Sequence, residues 1–339
     1  MTVGVALILK YLTVVIAIVS VRSLAVTYTF PNSTALLAAQ AQGRFNSTSP
    51  LVVVLEKGKY LLSEVLTFTA PSLELRSTSA EIICDGANSA FQLSISCSLL
   101  VSGLFVSNCS GILPAVNIDV PSSTCDSNVT LDQLRFTGNS AGALAIVATI
   151  SNITLSSCSF DSNSLSSVTS FNNHAAFIRA EQGTIAMRLV TFSNNGIESN
   201  VTGANVMHAI CMGGTCQYTT FNSTWTNNMA GFMSTVSSIQ GFGNVAIYGS
   251  AWDQNTGMTV LFISQAGGPW GSPPEGPGMY SVELSGAIFS QNHGSLYGVL
   301  LYGCGSVMVH GAIFRDNIAS SEGVRDPSFL SSNSAQINL

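Results

Sequence analysis

The sequence contains few charged residues. Only 8% of its 339 residues are charged, and Lys and Arg together number 11. Lysine occurs at Lys10, Lys57 and Lys59 and nowhere else. Proteins that bind nucleic acid neutralise phosphates with clustered Lys and Arg, and this sequence has no such cluster. We therefore expect no nucleic-acid partner, and a surface whose polarity comes from Ser, Thr and Asn.

Metal-binding motifs are also missing from the sequence. No Cys-x-x-Cys stands beside a second Cys pair or a His pair, so we expect no zinc site and assign no cofactor. The isolated acids Asp253 and Asp316 are interpreted as solvated turn residues rather than metal ligands. The histidines are interpreted as turn or surface residues rather than catalytic bases. They are His174, His208, His293 and His310.

The first 25 residues have the pattern of a secretory signal. An apolar run at residues 11–19 is followed by Ser23 and Ala25, the small residues that a signal peptidase requires at its cleavage site. The rival interpretation is an uncleaved N-terminal anchor, although the run is shorter than the ~20 residues that a membrane span needs. We expect residues 1–25 to be a signal peptide and the mature protein to be secreted or displayed on the cell surface.

Cysteines and sequons agree with an extracellular location. The eight cysteines are an even number, typical of an oxidising compartment, and Cys211 and Cys216 are placed to close a small disulfide loop. Of seven Asn-x-Ser/Thr sequons, Asn32 is, with Ser33, a candidate cap of a short helix, and Asn108 is a repeat position at which we expect no glycan. The remaining candidate glycosylation sites are Asn46, Asn128, Asn152, Asn200 and Asn222.

One short motif recurs along the chain. GAIFSQN at residues 286–292 returns as GAIFRDN at residues 311–317, keeping the small residues, the aromatic and the Asn. Six more copies of aromatic-x-x-Asn precede these two, and successive aromatics lie 24 to 37 residues apart. Irregular spacing is typical of a repeat whose strands stay constant while its loops vary. The pairs are Phe105/Asn108, Phe136/Asn139, Phe160/Asn163, Phe192/Asn195, Trp225/Asn228, Trp252/Asn255, Phe289/Asn292 and Phe314/Asn317.

This repeat predicts strands stacked in register. If neighbouring copies lie one strand spacing apart, about 4.8 Å, each residue meets its counterpart in the next repeat. The aromatics would form an internal stack of rings. The asparagines, in left-handed turns, would pass side-chain hydrogen bonds from repeat to repeat, while the residues between them face outward. A β-sandwich is the alternative all-β fold, but it does not require one motif repeated eight times.

Two resemblances make the fold prediction more specific. A short helix near residues 32–43, then VVVLEKGKYLLSEVLTF, LELRSTSAEIICDGANSAFQLS and LLVSGLFVSNCSG, resembles the opening of the pectate-lyase-like superfamily. The aromatic-x-x-Asn repeats are similar to those of polymorphic outer-membrane proteins. Both resemblances imply an all-β fold, a single-stranded right-handed parallel β-helix with a short N-terminal capping helix. We expect it to span residues 26–339, with the aromatic-x-x-Asn coils at residues 105–317.

The resemblance to pectin-active enzymes implies carboxylates gathered on one face, with Lys or Arg nearby. The repeat alignment gives no such acidic ladder, since Asp161 and Asp253 are three repeats apart. We therefore assign no catalytic residue and expect a structural, adhesive or glycan-contacting protein, with extracellular glycans or surface proteins as partners. The alternative is a carbohydrate-active enzyme, either a polysaccharide lyase or a glycoside hydrolase.

One further residue is a candidate for glycan contact. Trp270 lies in a Gly/Pro-rich insertion at residues 266–280, and an exposed Trp in a loop can stack on a sugar ring. The alternative interpretation is a surface loop that packs against its own Trp and Pro side chains.

Overall fold

The fold is all-β apart from one helix within the described residues. The computed structural model describes residues 25–111, 113–121, 125, 127–165, 174–197, 205–213, 216–230, 234–265, 281–302, 304–319, 330–333 and 336–338. The helix, α1, is Ser33–Ala41. The strands are β1 (Val26–Phe30), β2 (Leu51–Leu55), β3 (Gly58–Leu62), β4 (Leu66–Cys84), β5 (Phe91–Ser107), β6 (Val116–Val120), β7 (Ser127–Asp132), β8 (Arg135–Thr137), β9 (Leu144–Ser156), β10 (Ser159–Asp161), β11 (Ser164–Leu165), β12 (Ala176–Arg188), β13 (Thr191–Ser193), β14 (Gly196–Ile197), β15 (Met207–Cys211), β16 (Gln217–Phe221), β17 (Thr224–Thr226), β18 (Thr235–Gln240), β19 (Asn244–Tyr248), β20 (Ala251–Asp253), β21 (Thr256–Ser264), β22 (Ser281–Ser285), β23 (Ile288–Ser290), β24 (His293–Tyr302), β25 (Ser306–His310), β26 (Ile313–Arg315), β27 (Ile318–Ala319), β28 (Leu330–Asn333) and β29 (Gln336–Asn338).

Helix α1 lies where the sequence predicts a short helix near residues 32–43. The Asn32 side chain caps it by accepting a hydrogen bond of 3.0 Å from the Ala35 N–H. Gly43 follows the helix at φ +68°, in the left-handed region that glycine adopts without strain. Leu36 and Ala39 are buried, and the helix packs against β1, β3 and β4. With nine residues, this described helix is too short to cross a membrane.

The strands form three parallel rows, and every pairing among the described strands is parallel. The first row begins with β1, β2 and β4 and continues through β16, β19, β22 and β25. The second row includes β3, β4, β5, β8, β10, β13, β17, β20, β23 and β26. The third includes β6, β9, β12, β15, β18, β21 and β24. The long strands β4, β5, β9 and β12 contribute to more than one row.

Alternating side chains of each row point into a common apolar core. In the first row Leu73, Leu75, Leu99 and Val101 are buried, while the residues between them are partly exposed. This period of two is what a strand with one buried face requires. Register then follows from burial, because a slip of one residue would turn the apolar set outward.

Left-handed residues turn the chain at two sets of corners. The corner between the first and second rows is formed by Gly103, Gln133, Ser157, Leu189, Asn222, Gly249, Gly286 and Gly311, at φ +46° to +69°. The corner after the second row is formed by Asn108, Gly138, Ser162, Asn194, Asn227, Gln254, Gln291 and Asp316. The expectation that the repeat asparagines are left-handed holds only for Asn108, because from Asn139 onward the residue before each repeat Asn has the positive φ.

Candidate functional site

The repeat aromatics from Phe136 onward form a ring stack in the second row, which is buried from Phe136 to Phe289 and exposed at Phe314. Phe160 and Phe192 lie 4.6 Å apart with planes at 8°, and Trp225 and Trp252 lie 4.5 Å apart at 2°. The stack ends at Phe314, whose ring centroid is 5.0 Å from that of Phe289. The ring centroids are separated by about the distance between neighbouring strands, so each ring stacks on the next. Its members are Phe136, Phe160, Phe192, Trp225, Trp252, Phe289 and Phe314.

Beside the rings, the repeat asparagines form an amide ladder. Asn228 Oδ1 accepts from both the backbone N–H and the side-chain Nδ2 of Asn195, at 3.1 and 2.9 Å. Asn228 Nδ2 donates to the Phe192 carbonyl at 2.8 Å and to Asn255 Oδ1 at 3.0 Å. The side chain thus uses both its donors and accepts twice, so a buried amide carries no unpaired group. The ladder runs through Asn139, Asn163, Asn195, Asn228, Asn255, Asn292 and Asn317.

The assignment of Phe105 and Asn108 to the stack and ladder is wrong. Val106, not Phe105, pairs with Phe136, and the Cys109 N–H donates to Asn139 Oδ1 at 3.1 Å. In this first copy the motif is shifted by one residue relative to the buried positions of the later copies. Leu104 and Val106 are both buried, so the intervening Phe105 points outward. Asn108 is exposed at a corner, so the ladder gives no reason for its sequon to lack a glycan.

Three disulfides connect the described cysteines. Cys211 pairs with Cys216 as the short glycine-containing loop predicts, and the other two bonds are Cys84–Cys109 and Cys97–Cys125. Cys158 and Cys304 are buried free thiols. Burial raises the pKa of the Cys158 thiol to about 11, so this side chain stays protonated near neutral pH. The disulfides fit an oxidising environment.

The outward face of the second row borders a groove of about 1010 Å³. One wall consists of corner residues, including Gly103, Gln133 and Leu189. Buried Cys158 lies beneath the groove. The groove crosses five successive strands, a length of about 19 Å at the usual strand spacing. Its other wall is a column of register partners, which are Glu81, Phe105, Arg135, Ser159 and Thr191.

The groove combines charge, an aromatic ring and hydroxyl groups. The Glu81 carboxylate forms an ion pair with the Lys59 ammonium at 3.1 Å, and Lys59 is its register partner in β3. Arg135 is exposed and forms no salt bridge with a described residue, so its guanidinium can donate to a ligand. Phe105 is half-buried beside it and offers an apolar edge. The groove therefore presents a carboxylate, a guanidinium, an aromatic ring and the hydroxyl groups of Ser159 and Thr191 along its length.

A second group lies on the outward face of the third row. His174 and His208 approach at 3.3 Å between Nε2 and Nδ1, and His174 Nδ1 lies 3.1 Å from the Asn205 carbonyl oxygen. The expectation of a turn or surface residue is wrong for His208, which lies in β15 and whose buried Nε2 has no hydrogen-bond partner among the described residues. His174 lies in a bend before β12 but is buried. Burial lowers the pKa of His174 to about 4.

The other predicted site residues fall into two groups. Asn46, Asn128, Asn152 and Asn222 are exposed, while Asn200 and Trp270 lie outside the described residues. Within the described part of the chain, no three His, Cys, Asp or Glu side chains come together as a possible metal site.

Arg135, Glu81 and the outward Phe105 were missed as a group by the sequence analysis. They lie next to each other because of strand register, and counting positions from each repeat aromatic does not place them in one column. Aligning the repeats on their buried residues instead would place Phe105 and Arg135 in one column. Comparisons of the chain with protein-family models, with curated proteins and with solved structures gave no match.

Proposed function

We propose that the chain is a right-handed parallel β-helix of the pectate-lyase-like kind, with repeats similar to those of polymorphic outer-membrane proteins. Support comes from the parallel pairing of the described strands and from the way each repeat contributes one strand to each row. Parallel neighbours require crossover connections, and these are right-handed in nearly all proteins.

The proposed function is binding of an extended extracellular glycan along the groove, in a structural or adhesive role. The observation that carries it is the column of Glu81, Phe105 and Arg135, which places an acceptor, an apolar ring and a donor one strand spacing apart. Sugar rings offer hydroxyl groups at their edges and C–H groups on their faces. The groove length of about 19 Å accommodates several such rings in a row.

Binding and turnover on a polysaccharide array test this function. The purified protein is applied to immobilised polysaccharides, and retained protein and released sugars are measured in the same wells. Retention without release, weakened at least fivefold by Phe105→Ala or Arg135→Ala, is the expected result. Release of sugars would instead establish a lyase or hydrolase. Retention that neither variant changes would show that the polysaccharide binds outside the groove.

We also propose that the protein is exported and that its signal peptide is removed after Ala25. Val26 is the first residue of β1, so cleavage at this position leaves the first strand intact. The three disulfides support an oxidising destination. N-terminal sequencing of the protein recovered from culture medium should begin at Val26. A secreted form that still begins at Met1 would contradict cleavage.

A further inference from the structure

A second column of outward side chains contains a stack with a gap. Consecutive strands β12, β16, β19, β22 and β25 place five register partners in line. The Arg188 guanidinium lies 5.4 Å from the Phe221 ring centroid, and the Phe221 and Tyr248 rings are 4.9 Å apart with planes at 18°. The next residue in the column is Ser285, and the one after it is His310. Stacking is therefore interrupted at one small side chain.

The gap has room for one ring. Tyr248 and His310 are two strand spacings apart, about 9.6 Å, so a ring midway lies about 4.8 Å from each. The molecule's own buried stack has ring separations of 4.5 to 5.5 Å. The adjacent corners are glycines, and a Cβ added at Gly286 would lie no closer than 3.8 Å to another atom. The gap consequently opens to solvent at its side.

Polar groups border the gap at its edge. The Tyr248 hydroxyl donates to Glu283 Oε2 at 2.9 Å, which holds the carboxylate beside the ring. Glu283 precedes Ser285 by two residues, so both side chains lie on the outward face of β22. The Glu283 Oε1 accepts no hydrogen bond from a described residue. A ligand ring in the gap would lie between the Tyr248 ring and the His310 side chain, with a carboxylate and a hydroxyl at its rim.

We propose that the gap between Tyr248 and His310 is a subsite for one pyranose ring of a neutral glycan. The C–H faces of a sugar ring would pack against the aromatic rings, and its hydroxyl groups would donate hydrogen bonds to Glu283. A flat aromatic ligand would satisfy the faces but leave Glu283 without new donors. The subsite lies about 14 Å beyond Leu189, three strand spacings along the groove edge. The ligand class of this subsite rests on the proposed function. The geometry of the subsite involves none of the groove residues.

Cellohexaose is a suitable probe because it is an unbranched chain of neutral pyranose rings. Calorimetric titration of the full-length mature protein measures affinity, and saturation-transfer NMR reports which sugar protons contact aromatic rings. We expect Ser285→Phe to fill the gap, keep or raise the thermal midpoint and weaken binding at least tenfold. Ser285→Ala is the matched control and should bind within about threefold of the wild type.

The possible results separate this subsite from the groove. Loss of binding in Ser285→Phe but not in Phe105→Ala supports the subsite and removes the groove from the proposed function. The reverse result overturns the subsite and leaves the groove standing. Absence of cellohexaose binding to the wild type, or tighter binding of indole than of cellohexaose at the gap, overturns the subsite as well.

Discussion

The first repeats and the later repeats are held together by different means at equivalent positions. In the second row, Ile82 and Val106 occupy the buried position that carries stacked rings from Phe136 onward. Where later repeats place a ladder Asn, the first repeat places Cys109, which is bonded to Cys84. At these two positions the N-terminal repeats are thus joined by a disulfide and aliphatic packing, and the later ones by rings and amides. The N-terminal repeats place their own stacked rings, Phe45 and Phe68, elsewhere in the core. Either set of contacts fixes neighbouring strands in one register.

The largest expected effect is removal of a ring from the stack. Phe160 is fully buried between Phe136 and Phe192, so Phe160→Ala should lower the free energy of unfolding by about 3 to 5 kcal/mol. Chemical denaturation measures the loss. Phe105→Ala is the matched control, because the same residue type at the first repeat points outward and should cost far less. Equal losses at the two positions would mean that Phe105 is stacked after all.

Loss of a disulfide should be nearly as costly in the first repeats. The Cys84–Cys109 bond closes a separation of 25 residues, and loop entropy gives about 3.5 kcal/mol for its removal in Cys84→Ala/Cys109→Ala. The Cys211–Cys216 bond spans only 5 residues, so the corresponding double variant should lose about 2 kcal/mol. Denaturation midpoints of the two variants should differ in that order. The opposite order would mean that strain or packing, not loop closure, sets the contribution.

Acid should weaken the later repeats selectively, because the described histidines all lie there. Burial lowers the pKa of His208 to about 3, with nearby His174 as the second cause, against about 6.5 in the unfolded chain. The folded state then binds fewer protons below pH 6.5, so stability is complete above that pH and declines as the pH falls towards 4. One such group costs about 2 kcal/mol at pH 5. Denaturation at pH 7.5 and pH 5 measures this slope.

His208→Gln should flatten the pH dependence, because it removes one of the two buried histidines whose pKa is lowered. Hydrogen exchange at pH 5 should accelerate in β15 before it does in β4 and β5. An unchanged slope in His208→Gln would mean that the pair already contacts water in the folded protein.

The amide ladder should contribute less per residue than the ring stack. Asn228→Ala removes the acceptor of two Asn195 groups and the donor to the Phe192 carbonyl. Leaving buried groups unpaired should cost about 1 to 3 kcal/mol. Asn244→Ala is the control, because Asn244 is exposed and its side chain accepts, among the described residues, from the Ser281 hydroxyl alone at 2.9 Å. A denaturation midpoint equal to that of the control would show that the amide ladder does not contribute to stability.

Repetition explains which features could be predicted from the sequence. Seven of the eight aromatic-x-x-Asn copies, from Phe136/Asn139 onward, lie where stacking predicts, because the aromatic and the Asn of each copy meet the equivalent residues of the next copy. The copy at Phe105 was misplaced because its motif letters fit while its flanking Leu104 and Val106 decide which face is buried. The groove and the gap at Ser285 arise where outward residues differ between repeats. The repeat motif consists of the residues that the copies share, so it carries no information about those differences.

The smallest expected effect distinguishes the two tryptophans of the stack. Both rings are fully buried, but the Trp252 indole N–H donates to the Ser237 hydroxyl at 3.0 Å, whereas the Trp225 N–H has no hydrogen-bond partner within the described structure. Trp252→Phe loses that bond along with apolar area. Trp225→Phe loses similar area but also removes an unpaired buried donor, so it should be more stable than Trp252→Phe by about 1 kcal/mol. Matching denaturation midpoints would show that the Trp225 N–H is satisfied, most simply by a buried water, and that the ring stack admits solvent at that point.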